Sequence, residues 1–186
     1  LVDDYTQRKT DIGTITDPNI IINALDPNQF TPPLSSSLQD QIFAALQRAY
    51  NNRIQNADLL DRLIKLFQAW IAKNALKPAQ NTQLQAWVAI LISELLALDL
   101  RDMLAGIAAL PLDQQIQRFN DLLNEILGIT PTPSAQVQNL IFAALQALYN
   151  QRLQTIAFLQ ALLDLLKRYV ASTLLNPTQK TTVQTI

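Results

Sequence analysis

The amino-acid sequence predicts an all-α fold, a helical bundle built on two long amphipathic helices, with shorter connecting helices and an extended N-terminal arm. Three observations carry this expectation. Leu, Ala and Gln, all good helix formers, are abundant, and only three glycines occur. Apolar side chains recur at helical spacing over residues 37–76. The same pattern then returns 99 positions further on. A chain of 186 residues suits one domain or one repeat array, and 49% apolar content is enough for a core.

Residues 1–36 differ from the rest, being rich in Asp, Thr, Asn and Pro. Asp17-Pro18-Asn19 and Asp26-Pro27-Asn28 recur nine residues apart. Asp before Pro is a helix N-cap or turn signal, because the imide ring suits the first helical position. The region is expected to form an extended arm with at most one short helix or strand, around Ile20, Ile21 and Ile22.

Over residues 37–76 neither Gly nor Pro appears. Ile42, Leu46, Ala49, Ile54, Ala57, Leu60, Leu63, Ile64, Phe67 and Trp70 hold one phase. That spacing predicts one helix about 60 Å long at ~1.5 Å per residue. The weak helix formers Asn51, Asn52 and Asn56 mark where it would break. Residues 82–110 give a second helix, apolar nearly all round through Leu84, Trp87, Val88, Leu91, Ile92 and Leu95, with a bend expected near Asp99. All-round apolarity implies burial in a bundle or against a partner. A shorter helix opens at Pro111 and carries Ile116, Phe119, Leu122, Leu123 and Ile126, with Gly128 expected as its C-terminal cap.

From Thr130 the first motif returns. Ile42-Phe43-Ala44-Ala45-Leu46-Gln47 reappears as Ile141-Phe142-Ala143-Ala144-Leu145-Gln146. Tyr50, Arg53 and Gln55 meet Tyr149, Arg152 and Gln154 at the same offset, and Pro78 meets Pro177. Ungapped identity over such a length reads as an internal duplication. The expected organisation is an arm at 1–36, a first repeat at 37–129 and a second, shorter repeat at 130–186. The last residues match the start of the helix over 82–110, which suggests either a truncated repeat or a chain that continues.

The copies are unequal. Arg48, Asp58 and Arg62 become Ala147, Ala157 and Ala161, while Ala49, Ala57, Leu59 and Ala75 become Leu148, Ile156, Phe158 and Leu174. A wider apolar arc implies that copy two is the more enclosed, as a central helix or a contact with another subunit. Leu148, Ile156, Phe158, Ala161 and Leu174 are therefore candidate interface residues. Gln47, Asn51 and Arg53, with Gln146, Asn150 and Arg152, join them as a candidate polar network between the copies, weighed against simple common descent.

The available chemistry is narrow. There is no Cys and no His, which removes disulfides, Ser-His and Cys-His nucleophiles and the usual zinc, haem and iron–sulfur ligands. Glycines are too few for phosphate-cradling loops, and no cofactor is expected. Glu94, inside an apolar run, is the one carboxylate whose burial would raise its pKa, unless it points outward or pairs with a cation such as Arg101. Asp3, Asp4, Asp11, Asp17 and Asp26 lack the spacing of a calcium loop and suit turns better. A net charge of -1 argues against nucleic acid or an anionic membrane bound through bulk charge, and no apolar run is long enough to span a bilayer.

These features favour a non-enzymatic structural subunit, a helical building block of a capsid, sheath or surface layer, in a homo-oligomer or larger assembly. The expected setting is extracellular, cell-surface or within a virion. An amide-rich surface of low charge suits close subunit packing better than free solubility. The competing reading is an amphipathic carrier or coat protein that holds an apolar ligand or lies on a lipid or polymer surface.

Overall fold

A computed structural model describes residues 12–186. The expectations that rest on Asp3, Asp4 and Asp11, and on the first part of the arm, lie outside the described residues. Among the described residues the secondary structure is helical, with no strand. In chain order it comprises α1 (Pro18–Ala24), a 3-10 turn (Pro27–Gln29), α2 (Ser36–Asn51), α3 (Ala57–Lys73), α4 (Pro78–Ala108), α5 (Leu112–Ile129), α6 (Ala135–Asn150), α7 (Ile156–Val170) and α8 (Pro177–Gln184). The chain divides into two compact units, the first ending at Leu95 and the second spanning Leu96–Ile186. The division falls inside α4.

In the first unit the expected 60 Å helix is two helices. Asn52 closes α2, and the Asn56 side chain accepts a hydrogen bond from the Leu59 amide at 3.0 Å to start α3. Asn side chains compete with the helix for backbone groups, so they favour caps over helix interiors. The periodicity concealed the turn because Tyr50, Ile54 and Ala57 keep helical spacing across it. α3 ends on Asn74, at φ 52°, a left-handed position that Asn tolerates better than most residues.

Residues 12–36 are not extended. Asp17 accepts from the Asn19 amide and caps α1, and Asp26 does the same for Asn28 in the 3-10 turn. α1 lies against α2 and α3. Ile21 and Leu25 are buried, and the Trp70 indole donates to the Leu25 carbonyl at 2.8 Å while its ring packs on Phe30. Arg48 ties Ile12 and Ile15 down through their carbonyls, and Arg62 reaches Asn19. The sequence conceals this packing because buried positions in the region are few and the Asp-Pro starts stand out in its composition.

The second unit repeats this plan. α6 has the 16 residues of α2, and Ser35 and Ser134 cap the two helices by the same bond to the amide three residues on. Thr155 caps α7 where Asn56 caps α3. Tyr169, the counterpart of Trp70, is fully buried and donates to the Phe119 carbonyl at 2.7 Å, so α5 takes the place that α1 holds in the first unit. Burial pushes the Tyr169 phenol well above its ordinary value. The core of this unit draws on Leu96, Leu100 and Ile107 of α4, Phe119, Leu122 and Ile126 of α5, and Ile141, Leu145, Leu162 and Leu165 of the α6–α7 pair. Gly128 is not a cap: α5 runs through it to Ile129, and it does not have a positive φ.

The third helix of each plan starts alike. Pro78 and Pro177 each stand at a first turn. Gln80 donates to Asp40 on α2 at 2.8 Å, and Gln179 donates to Asn139 on α6 at 2.9 Å. These residues are matched at the offset of 99. From that common start α4 runs for 31 residues and α8 for 8.

Candidate functional site

In the first unit, α4 lies along the α2–α3 pair. Trp87 stacks on Phe43 and Tyr50, with ring centroids 5.3 and 4.9 Å apart, and meets Phe67 at 6.1 Å. Two turns further, Glu94 receives Arg53. The Arg53 Nε and Nη2 donate to the two carboxylate oxygens at 2.8 and 2.5 Å, and Gln55 adds a bond at 3.2 Å. The Arg53 guanidinium lies 4.0 Å from the Tyr50 ring centroid and donates Nη1 to the Tyr50 carbonyl. The hydrogen bonds from Arg53 hold the Glu94 carboxyl below its ordinary value, against the opposing effect of burial. Glu94 is therefore an ionised partner of a fork, not a desolvated acid, and its cation is Arg53 rather than Arg101.

In the second unit the matched positions line a groove. Tyr149, Arg152, Leu159, Leu162, Leu163, Leu166, Lys167, Val170, Val183 and Ile186 bound an apolar groove of about 670 Å³. A smaller cavity of about 80 Å³ adjoins it between Phe142, Tyr149, Leu166 and Val183. The matched positions behave differently in the two units. Leu60 and Ile64 are 0% and 7% exposed, whereas Leu159 and Leu163 are 36% and 51% exposed. Trp87 is 7% exposed and its counterpart Ile186 is 53% exposed.

Arg152 is held as Arg53 is held. Its guanidinium sits 4.0 Å over the Tyr149 ring and its Nη1 donates to the Tyr149 carbonyl at 3.0 Å. Among the described residues it has no carboxylate partner, so Nε and Nη2, the two atoms that engage Glu94 in the first unit, are free.

The expected interface residues separate into groups. Leu148, Phe158 and Leu174 are buried in the core of their own unit and offer nothing to a partner. Ala161 is half-buried against that core. Ile156 is 77% exposed. Gln47, Asn51, Gln146 and Asn150 are exposed, and Gln146 and Asn150 border the smaller cavity. Arg53 bonds to Glu94 and Tyr50, and Arg152 bonds to Tyr149, each within its own unit. The wider apolar arc of copy two is divided between its own core and an exposed face. The sequence does not single out the groove residues Leu159 and Leu163, because they match the buried Leu60 and Ile64 of copy one. The unpaired match between Arg152 and Arg53 was the signal that could have found them.

No family model, curated protein or solved structure matches this chain. Among the described residues no group of carboxylates could hold a metal ion, and no helix is long and apolar enough to cross a membrane.

Proposed function

We propose that this protein is a duplicated, non-enzymatic helical subunit of a larger protein assembly of the capsid, sheath or surface-layer type. The observation that carries this reading is the open apolar face of α7, with Leu159, Leu163 and Ile156 exposed beside a preformed groove. Contiguous apolar surface of this kind marks interaction sites far more often than scattered exposed residues do. The matched caps, the matched Gln–Asx clamps and the buried aromatics Trp70 and Tyr169 support a duplication, since they repeat structural roles as well as residue types.

Sedimentation velocity over a micromolar concentration range tests the reading. Concentration-dependent growth of the wild-type chain, lost in Leu163→Glu, is the expected outcome. A chain that stays monomeric throughout contradicts it. The groove volume also falls within the span of small-molecule sites, roughly 300–1,000 Å³. A carrier of an apolar ligand is therefore the second reading, and it predicts a monomer that takes up a fluorescent fatty acid.

A further inference from the structure

We propose that the turn joining the paired helices of each unit, at residues 52–56 and 151–155, is a self-association contact that packs against the same turn of a second copy of this chain. The inference rests on the assembly reading and names a contact for it outside the groove.

The duplication separates residues that act inside a unit from residues that do not. Tyr50-Asn51-Asn52-Arg53-Ile54-Gln55 returns as Tyr149-Asn150-Gln151-Arg152-Leu153-Gln154. Tyrosine and arginine have an internal role in both copies. Each guanidinium lies 4.0 Å from its ring centroid and donates to the tyrosine carbonyl. The aliphatic residue has no such role, since Ile54 is 61% exposed and Leu153 is 45% exposed. A third helix does not remove that exposure: Ile54 is exposed with α4 in place and with Arg53 bound to Glu94. Nearby, exposed Asp58 becomes Ala157, yet position 54 and its match both carry a large aliphatic side chain. A single exposed aliphatic residue needs no explanation, but its recurrence at the same turn of both copies does.

A second copy is the partner that the chemistry of the turn fits. A contact across a twofold axis sets a surface against itself, so it must avoid like charges and supply donors and acceptors together. Exposed amides surround Ile54 at Asn51, Asn52, Gln55 and Asn56. Asn52 and Gln55 donate within the unit and keep their side-chain oxygens, while Asn56 accepts from Leu59 and keeps its donors. The charge of Arg53 is matched by Glu94. Two such turns can bury aliphatic against aliphatic and pair amide with amide. In the second unit Asn150, Gln151 and Gln154 supply the same amides, and Arg152 is drawn back over the Tyr149 ring. A bilayer suits the turn less well, because it would desolvate these amides without bonding them.

Single cysteines report such a contact directly, since the full chain has none of its own. Ile54→Cys and Leu153→Cys are oxidised mildly under native conditions, and disulfide-linked dimer is followed on non-reducing gels. Ile20→Cys is the reference, a 53% exposed aliphatic position on α1. Each turn variant should dimerise at least roughly tenfold faster than the reference, because a self-contact raises the local concentration of the two thiols. In sedimentation velocity, Ile54→Ser and Leu153→Ser should each weaken self-association about tenfold, the loss of one buried aliphatic side chain. Circular dichroism checks that every variant is helical. The inference is overturned if either turn variant cross-links no faster than Ile20→Cys, or if both serine variants associate as wild type does. It is also overturned if wild type floats with phosphatidylcholine vesicles, Ile54→Ser does not, and cross-linking stays at the reference rate. An assembly that Leu163→Glu dissolves and the serine variants leave intact loses this inference alone. A chain that cross-links at both turns but shows no growth in sedimentation keeps this inference and loses the larger assembly.

Discussion

The two units share a helix pair, a capping scheme, a buried aromatic and an arginine clamped on a tyrosine, yet matched residues differ in exposure. In the first, Trp87 and Glu94 of α4 close the site. In the second, the matched Leu159 and Leu163 are exposed along a groove. The comparison shows that burial belongs to a position's neighbours and not to its residue type. Ile64 and Leu163 are equally apolar, and only one is covered.

The largest expected effect separates the third helices. Trp87→Ala removes a buried aromatic and leaves a cavity, so unfolding of the first unit should be easier by about 3–5 kcal/mol. Ile186→Ala, at the matched but exposed position, should change stability by less than about 0.5 kcal/mol. Denaturant titration with a tryptophan and a circular dichroism readout compares them. Similar losses would mean that the second site is closed too.

The arginines give a smaller contrast. Arg53→Gln breaks a partly buried, charge-assisted pair and should cost about 1–3 kcal/mol, whereas Arg152→Gln should cost about 0.5 kcal/mol or less. The pair also has a pH signature. Because the folded-state pKa of Glu94 is depressed, its contribution is complete above the ordinary value of 4.5 and is lost as the pH falls below it through the depressed value. The stability of Arg53→Gln should therefore fall less steeply with acid than that of wild type, while Arg152→Gln should follow wild type. Identical acid profiles for Arg53→Gln and wild type would remove Glu94 from the account.

The smallest effect is one of sameness. Gln80→Ala and Gln179→Ala each remove one link between the third helix and the pair beneath it, and each should cost about 1 kcal/mol. Unequal costs would show that α8 is not seated as α4 is.

Much of this was legible in the sequence. Helical periodicity gave the class, and the repeat located the matched helices. Pro111 marks a helix start in the sequence, and α5 begins at the next residue. What was hidden has physical causes. The turn at residues 52–56 kept the apolar phase, so spacing alone could not resolve one helix from two. The partner of Glu94 lies 41 residues away, in the turn between α2 and α3, whereas local spacing points to Arg101. The state of the groove depends on which helix covers it, and Leu159 and Leu163 carry no mark that distinguishes them from Leu60 and Ile64.

The chain contains no cysteine, which makes its two faces directly comparable. Single variants Ile64→Cys and Leu163→Cys, matched positions of α3 and α7, can be labelled with a maleimide under native conditions. A thiol behind a covering helix reacts only when that helix opens. The account predicts that Leu163→Cys is labelled at least roughly tenfold faster than Ile64→Cys, the ratio corresponding to ~1.4 kcal/mol of opening free energy. Equal rates, or a slower rate at Leu163→Cys, would contradict the open groove on which the whole comparison rests.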